Sequence, residues 1–198
     1  MKTFPLRHRF ILLPAALILA FAAGCERPGN PDPQVTATEP PHPPGALELH
    51  AVARLDPTQD QQARGTVRFH SEGDAVRVVA ELTGLTPGEH GIHIHENGDC
   101  SAPDASSAGG HFNPTDQPHA APDAEARHFG DLGNISADNN GRAELNYLDR
   151  HLSLTGEHSI VGRAVVVHAG PDDFKSQPSG NSGARVACGR IEIERKNL

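Results

Sequence analysis

GTVRFHSEGDAVRVVAEL, Gly65–Leu82, decides the fold class. Val67 and Phe69 alternate with Arg68 and His70, and Ala75–Leu82 takes up a second run rich in β-branched residues. Between them Ser71-Glu72-Gly73-Asp74 reads as a turn. Period-two alternation on either side of a turn is the mark of a half-buried antiparallel hairpin. The same character recurs at Ala46–Leu55, Gly91–His95, Arg142–Leu148, Gly162–His168 and Ala184–Ile193, between turns marked by Gly and Pro. About eight short strands without a convincing helix predict an all-β domain, an eight-stranded antiparallel barrel or sandwich. Glu96–Asn134 and Ala169–Gly183 lack strand character. A loop as long as the first is abnormal in a compact domain unless something organises it, so the pattern predicts two long functional loops.

The 198 residues are not all domain. Lys2, Arg7 and Arg9 precede an apolar run, Phe10–Ala23, which reads as an export signal. The run is short for a membrane span and contains Pro14. It ends in Ala22-Ala23-Gly24-Cys25, which resembles a bacterial lipobox. That resemblance implies removal of residues 1–24, a lipid anchor on Cys25 as the only attachment to membrane, and residence in the periplasm or cell envelope. Ordinary signal cleavage leaving a free Cys25 is the alternative. Residues 25–45 are rich in Pro and poor in large apolar side chains, the composition of a stiff, extended tether. The domain is assigned to residues 46–198, folded from Ala46 to about Glu194, which is long enough for a real core.

With Cys25 set aside, Cys100 and Cys188 form an even pair, which in an exported domain suggests a disulfide. The net charge is −8, and removal of residues 1–24 takes away three cations and no acid, leaving −11. Such a balance argues against nucleic acid or an anionic membrane surface as partner.

Seven candidate ligands remain: His93, His95, His111, His119, His128, Asp131 and His168. On a strand His93 and His95 share one face while Ile92 and Ile94 point into the opposite layer. His111, His119, His128 and Asp131 supply three imidazoles and a carboxylate, enough for a closed tetrahedral zinc site. His168 ends a β-branched run. Any one of these histidines would more often be solvated or structural. Together they exceed what one tetrahedral ion needs, so two ions are the natural count, and the donor set suits borderline divalent metals.

Five segments, GIHIHENGDC (Gly91–Cys100), GHFNP (Gly110–Pro114), RHFGDLGNI (Arg127–Ile135), GRAVVVH (Gly162–His168) and GNSGARVACG (Gly180–Gly189), closely resemble the signature segments of copper,zinc superoxide dismutases, in the family's order. The resemblance implies a Greek-key barrel and a superoxide dismutase that turns two superoxide anions into dioxygen and hydrogen peroxide by Cu(II)/Cu(I) cycling. By it, His93, His95, His111 and His168 hold copper, and His111, His119, His128 and Asp131 hold zinc. His111 bridges the two ions and is a proton source when it releases reduced copper. Cys100 and Cys188 match the family's disulfide, and Arg185 matches the arginine that orients the anion beside copper. Asp172, with Asp173 next to it, matches an aspartate linking a copper ligand to a zinc ligand. Lys175 is a looser candidate for steering superoxide into an acidic protein.

Members of that family associate through different surfaces or stay monomeric, so the resemblance implies no particular oligomer. A rival reading is a non-enzymatic copper- or zinc-binding module, which is expected to lack a copper ligand. A zinc hydrolase needs an open zinc position, which the four-ligand set denies. His8, His42, His50, His70, His90, His151 and His158 match no ligand position and read as surface or structural residues.

Overall fold

Arg64–Glu72 (β2) and Ala75–Thr83 (β3) pair antiparallel along their whole length. Ser71 lies opposite Val76 and Glu72 opposite Ala75, so the reversal takes only Gly73 and Asp74. Gly73 has φ 62°, a left-handed conformation that glycine adopts without steric cost. Ser71 and Glu72 therefore belong to the strand rather than to the turn expected of them.

The computed structural model describes residues 49–194. The expected signal, Cys25 and the tether lie outside the described residues, as do the first residues of the strand predicted from Ala46. The remaining strands are His50–Pro57 (β1), Gly88–His95 (β4), Asp131–Ala137 (β5), Ala143–Asp149 (β6), Ala164–His168 (β7) and Arg185–Ile193 (β8). β5 was not expected: it begins inside Glu96–Asn134, the stretch without strand character, and runs three residues past it. A short 3-10 turn at Ser106–Ala108 is the other regular piece of that loop.

The strands close into an antiparallel barrel in the order β1-β2-β3-β6-β5-β4-β7-β8, with β8 returning to β1. The chain crosses from β3 to β4 and again from β6 to β7, a Greek-key path. Inward positions fill the core with Val67, Phe69, Val78, Ile92, Ile94, Ile135 and Ile191, each at most 1% exposed. β7 is buried on both faces: Val165 and Val167 enter this core, while Ala164 and Val166 pack outward under Ala105, Ala108 and Cys188. The long loop is thus seated on the barrel wall by its own small apolar cluster.

Candidate metal centre

Backbone pairing brings the centre together before any side chain does. His95 bridges to His111, the Ile94 N–H donates to the Gly130 carbonyl, and the Phe112 N–H donates to the Ile94 carbonyl. The end of β4 therefore carries residues 111–112 on one side and 128–131 beside them. The disulfide Cys100–Cys188 ties the same loop to β8. Covalent and backbone bonds thus supply much of what organises this long loop.

The seven candidates then fall into two buried groups sharing His111. In each, one ligand atom per residue lies within 4.8 Å of the others: His93, His95, His111 and His168 in the first, His111, His119, His128 and Asp131 in the second. In the first group one nitrogen of three of the rings is fixed by an acceptor. His93 Nε2 donates to Asp172 Oδ2 at 2.7 Å, His95 Nδ1 to the Gly109 carbonyl at 2.9 Å, and His168 Nδ1 to the Gly183 carbonyl at 3.1 Å. His111 Nδ1 donates to Asp131 Oδ1 at 2.9 Å. The other nitrogens, His93 Nδ1, His95 Nε2, His111 Nε2 and His168 Nε2, are buried with no hydrogen-bond partner among the described residues. A buried polar atom without a partner is costly, and four imidazole lone pairs gathered in one place fit a metal ion.

Burial also sets their protonation. It is the largest influence on each of these histidines and pushes His93 down to about 3 and His168 to about 4. His95 lies well below its ordinary value and His111 is lowered, so burial favours the neutral imidazole in all four, the form in which a ring nitrogen can bind a metal. The Arg185 charge adds to the lowering at His95 and His168.

The second group converges on one oxygen. His111 Nδ1 and His119 Nδ1 each approach Asp131 Oδ1 at 2.9 Å, and His128 Nδ1 does so at 3.3 Å. Burial works against the Asp131 carboxylate, but the three imidazoles outweigh it and hold its pKa far below the usual range. Three δ-nitrogens and a carboxylate match a closed zinc tetrahedron.

Asp172 joins the groups. Its Oδ2 takes His93 Nε2, its Oδ1 takes His119 Nε2 at 2.9 Å, and Asp173 instead caps the turn at Lys175 and Ser176. Gly180 makes that approach possible, since a Cβ there would lie 1.9 Å from Asp172 Oδ1. Burial lowers His119, but Asp131 and Asp172 together raise its pKa to about 9. In the metal-free protein His119 is therefore protonated at pH 7 and must lose that proton to bind zinc. Zinc affinity is expected to rise about tenfold per pH unit through neutrality and to level off above about pH 9. Calorimetry in buffers of different ionisation enthalpy checks this; uptake without proton release contradicts it.

Arg185 is half-buried, donating from Nη1 to the Ala105 carbonyl at 2.5 Å and from Nη2 to the Gly109 carbonyl at 2.6 Å. Lys175 stands exposed in the second loop, held through its backbone, whose N–H donates to Asp173 and whose carbonyl accepts from Gln177. Three supports were invisible to the sequence reading. The Gln177 amide pairs with the His119 backbone in both directions at 2.8 Å. The Asn134 amide does the same for Asp172, at 2.7 and 2.9 Å. The Arg127 guanidinium, 2% exposed, donates to both oxygens of Asp149 and to the carbonyls of His128 and Asp131. Arg127 lies within Arg127–Ile135 and braces its own loop, but Asp149, like the partners of Gln177 and Asn134, is a common polar residue or backbone group 22 to 58 positions away.

Residues 63–191 match the family model for copper/zinc superoxide dismutase (SODC). The chain belongs to the copper/zinc superoxide dismutase family. It is 44% identical over 153 residues to superoxide dismutase [Cu-Zn] 3 of Arabidopsis thaliana, covering 74% of this chain and 92% of the relative. Among solved structures it is similar to the clock protein EA4, with a TM-score of 0.69 and 40% identity over 77% of this chain and 99% of that one. The dismutase is an oxidoreductase that uses copper and zinc to convert superoxide to dioxygen and hydrogen peroxide.

Proposed function

We propose that in this dismutase His93, His95, His111 and His168 hold the copper and His111, His119, His128 and Asp131 hold the zinc, with His111 facing both. The observation that carries the assignment is the set of four buried imidazole nitrogens left without partners, while the opposite nitrogens of His93, His95 and His168 are pinned by Asp172, the Gly109 carbonyl and the Gly183 carbonyl. Bound copper supplies a one-electron couple, and zinc, which has no redox chemistry, supplies structure and charge.

The chain's own residues do the rest. Arg185, fixed by two loop carbonyls, directs a cation toward the first group and orients the superoxide anion there. Lys175 adds a weaker attraction from the second loop. His111 Nε2 is the atom at which a proton can be held for the departing peroxide, while Nδ1 stays on the Asp131 side. Asp172 positions one ligand of each group at once and so couples their orientation.

The proposal extends to the cell. Cys25 carries the lipid, residues 25–45 space the barrel from the membrane, and the bacterial enzyme removes superoxide in the periplasm or envelope. The signal-like run and the small residues before Cys25 support this reading. Mass spectrometry of the mature chain, with Cys25→Ser as control, tests it; an unmodified Cys25 on the mature protein overturns the anchor.

The test of the site is superoxide consumption by purified, metal-loaded protein beside its His95→Ala variant. The variant is expected to lose all but a few per cent of activity, with metal analysis recording lost copper and retained zinc. Equal activity in both proteins refutes the copper assignment.

A further inference from the structure

β1 and β2 set a second pair of imidazoles side by side, away from the metal centre. His50, at the start of β1, and His70, near the end of β2, are direct cross-strand partners. On the barrel wall β8 separates them from β7 and β4 on one side, and β3, β6 and β5 do so on the other. Their neighbours Ala51 and Phe69 point inward at 0% exposure, so the alternation puts both histidines on the outer face, where they are half-buried.

The two rings meet edge to face with centroids 4.8 Å apart and Nδ1 2.5 Å from Nδ1. Two nitrogen lone pairs do not face each other at that separation unless a proton or a cation lies between them as a shared centre. A single proton is one such centre. A transition cation is the other, and it gains two metal–nitrogen bonds of about 2.0–2.1 Å. Tetrahedral bond angles then put the nitrogens about 3.3 Å apart, so the rings need to open by less than about 1 Å. Half-exposed side chains on a strand have room for that adjustment.

The surroundings favour a cation over a closed cage. Glu194 and Glu72 attract positive charge at His70, Arg68 opposes them, and burial together with His50 lowers the His70 pKa toward the ligating neutral form. Both carboxylates are held by arginines, Glu194 by Arg68 and Glu72 by Arg77. They shape the field, and water completes the coordination.

We propose that His50 and His70 form a two-imidazole site for a divalent first-row transition cation on the outer wall of the barrel. Imidazole donors without thiolate suit Cu(II), Ni(II) and Zn(II), with Cu(II) bound most tightly. The site stands one residue after Leu49, where the described chain begins, and it exchanges its ion with solvent, whereas the centre between the loops is enclosed.

Nickel is the probe of choice, because in a protein already replete with copper and zinc the two enclosed ligand groups found among the described residues are filled. Tag-free, metal-replete protein is titrated with Ni(II) by calorimetry, alongside His50→Gln and His70→Gln. Wild type is expected to take up one further Ni(II) per chain, and each substitution is expected to weaken that uptake by about tenfold or more through loss of chelation. Paramagnetic broadening of the His70 ring signals marks the location, and superoxide consumption is unchanged in both variants. The proposal is overturned if replete wild type binds no further equivalent, which is the result for a pair that merely shares a proton. It is equally overturned if the two substitutions leave the affinity unchanged.

Discussion

Replacing Arg127 with methionine is expected to destabilise the metal-free domain by about 3–5 kcal/mol. Both Arg127 and Asp149 are almost fully buried, at 2% and 3% exposure, and Arg127 Nη2 donates to both carboxylate oxygens, at 2.8 and 2.7 Å. Methionine matches the side chain's length but leaves Asp149 charged inside the protein, with only the backbone N–H groups of His151 and Leu152 and the Tyr147 hydroxyl left to it. For a domain of about 150 residues each kcal/mol moves the midpoint by about 2–4 °C, so thermal unfolding should fall by roughly 10 °C. The cost extends to the zinc side, because Arg127 also accepts the task of fixing the His128 and Asp131 carbonyls. Zinc affinity should drop by about tenfold to a hundredfold, as it does when a group supporting a ligand is removed. Adding Asp149→Leu to Arg127→Met should restore more than half of the lost stability, since an apolar pair avoids the stranded charge. A single variant within about 1 kcal/mol of wild type would show that the pair is not what anchors the loop.

The second large effect is expected from Cys100→Ser with Cys188→Ser. The bridge joins residues 88 apart. On the chain-entropy model its removal costs about 4–5 kcal/mol, read as a shift in the denaturant midpoint. Function should suffer separately from stability. The bridged loop supplies the Ala105 and Gly109 carbonyls that hold Arg185, and the Gly109 carbonyl also fixes His95 Nδ1. Without the bridge both groups lose a common reference, and turnover of superoxide under native conditions should fall by about tenfold to a hundredfold even where the protein is folded and metal-loaded. A double-serine variant as active as wild type would mean that the backbone pairing at His95 and His111 suffices to hold Arg185.

Local chemistry was legible in the sequence, and long-range support was not. The β2–β3 hairpin could be read because Val67, Phe69, Val76, Val78 and Ala80 repeat at the period of a strand. Its turn was read too long because Ser71 and Glu72 are turn-forming types, yet their partners Val76 and Ala75 keep them in the ladder. β5 was missed because it starts at the ligand Asp131 and contains Gly133 and Asn134, residues depleted in strands. Its pairing with β4 along most of its length, and with β6 at Ala137, makes it extended. The seven candidate ligands stood out by their density and spacing between His93 and His168, and the fold brings all seven into two groups. Gln177, Asn134 and Asp149 carried no such signal. Each acts on a residue 22 to 58 positions away, through amide or carboxylate groups that any surface could carry.

β7 has a consequence for how the protein survives as well as for how it works. Its sequence AVVVH is an uncharged, β-branched run, and the outer pair Ala164 and Val166 packs under Ala105, Ala108 and the Cys100–Cys188 bridge. Uncovered, such a stretch invites sheet-like self-association between chains. The loop that frames the metal centre therefore also screens a sticky segment, and loosening that cover by reducing the bridge is expected to favour clumping as well as to lower stability.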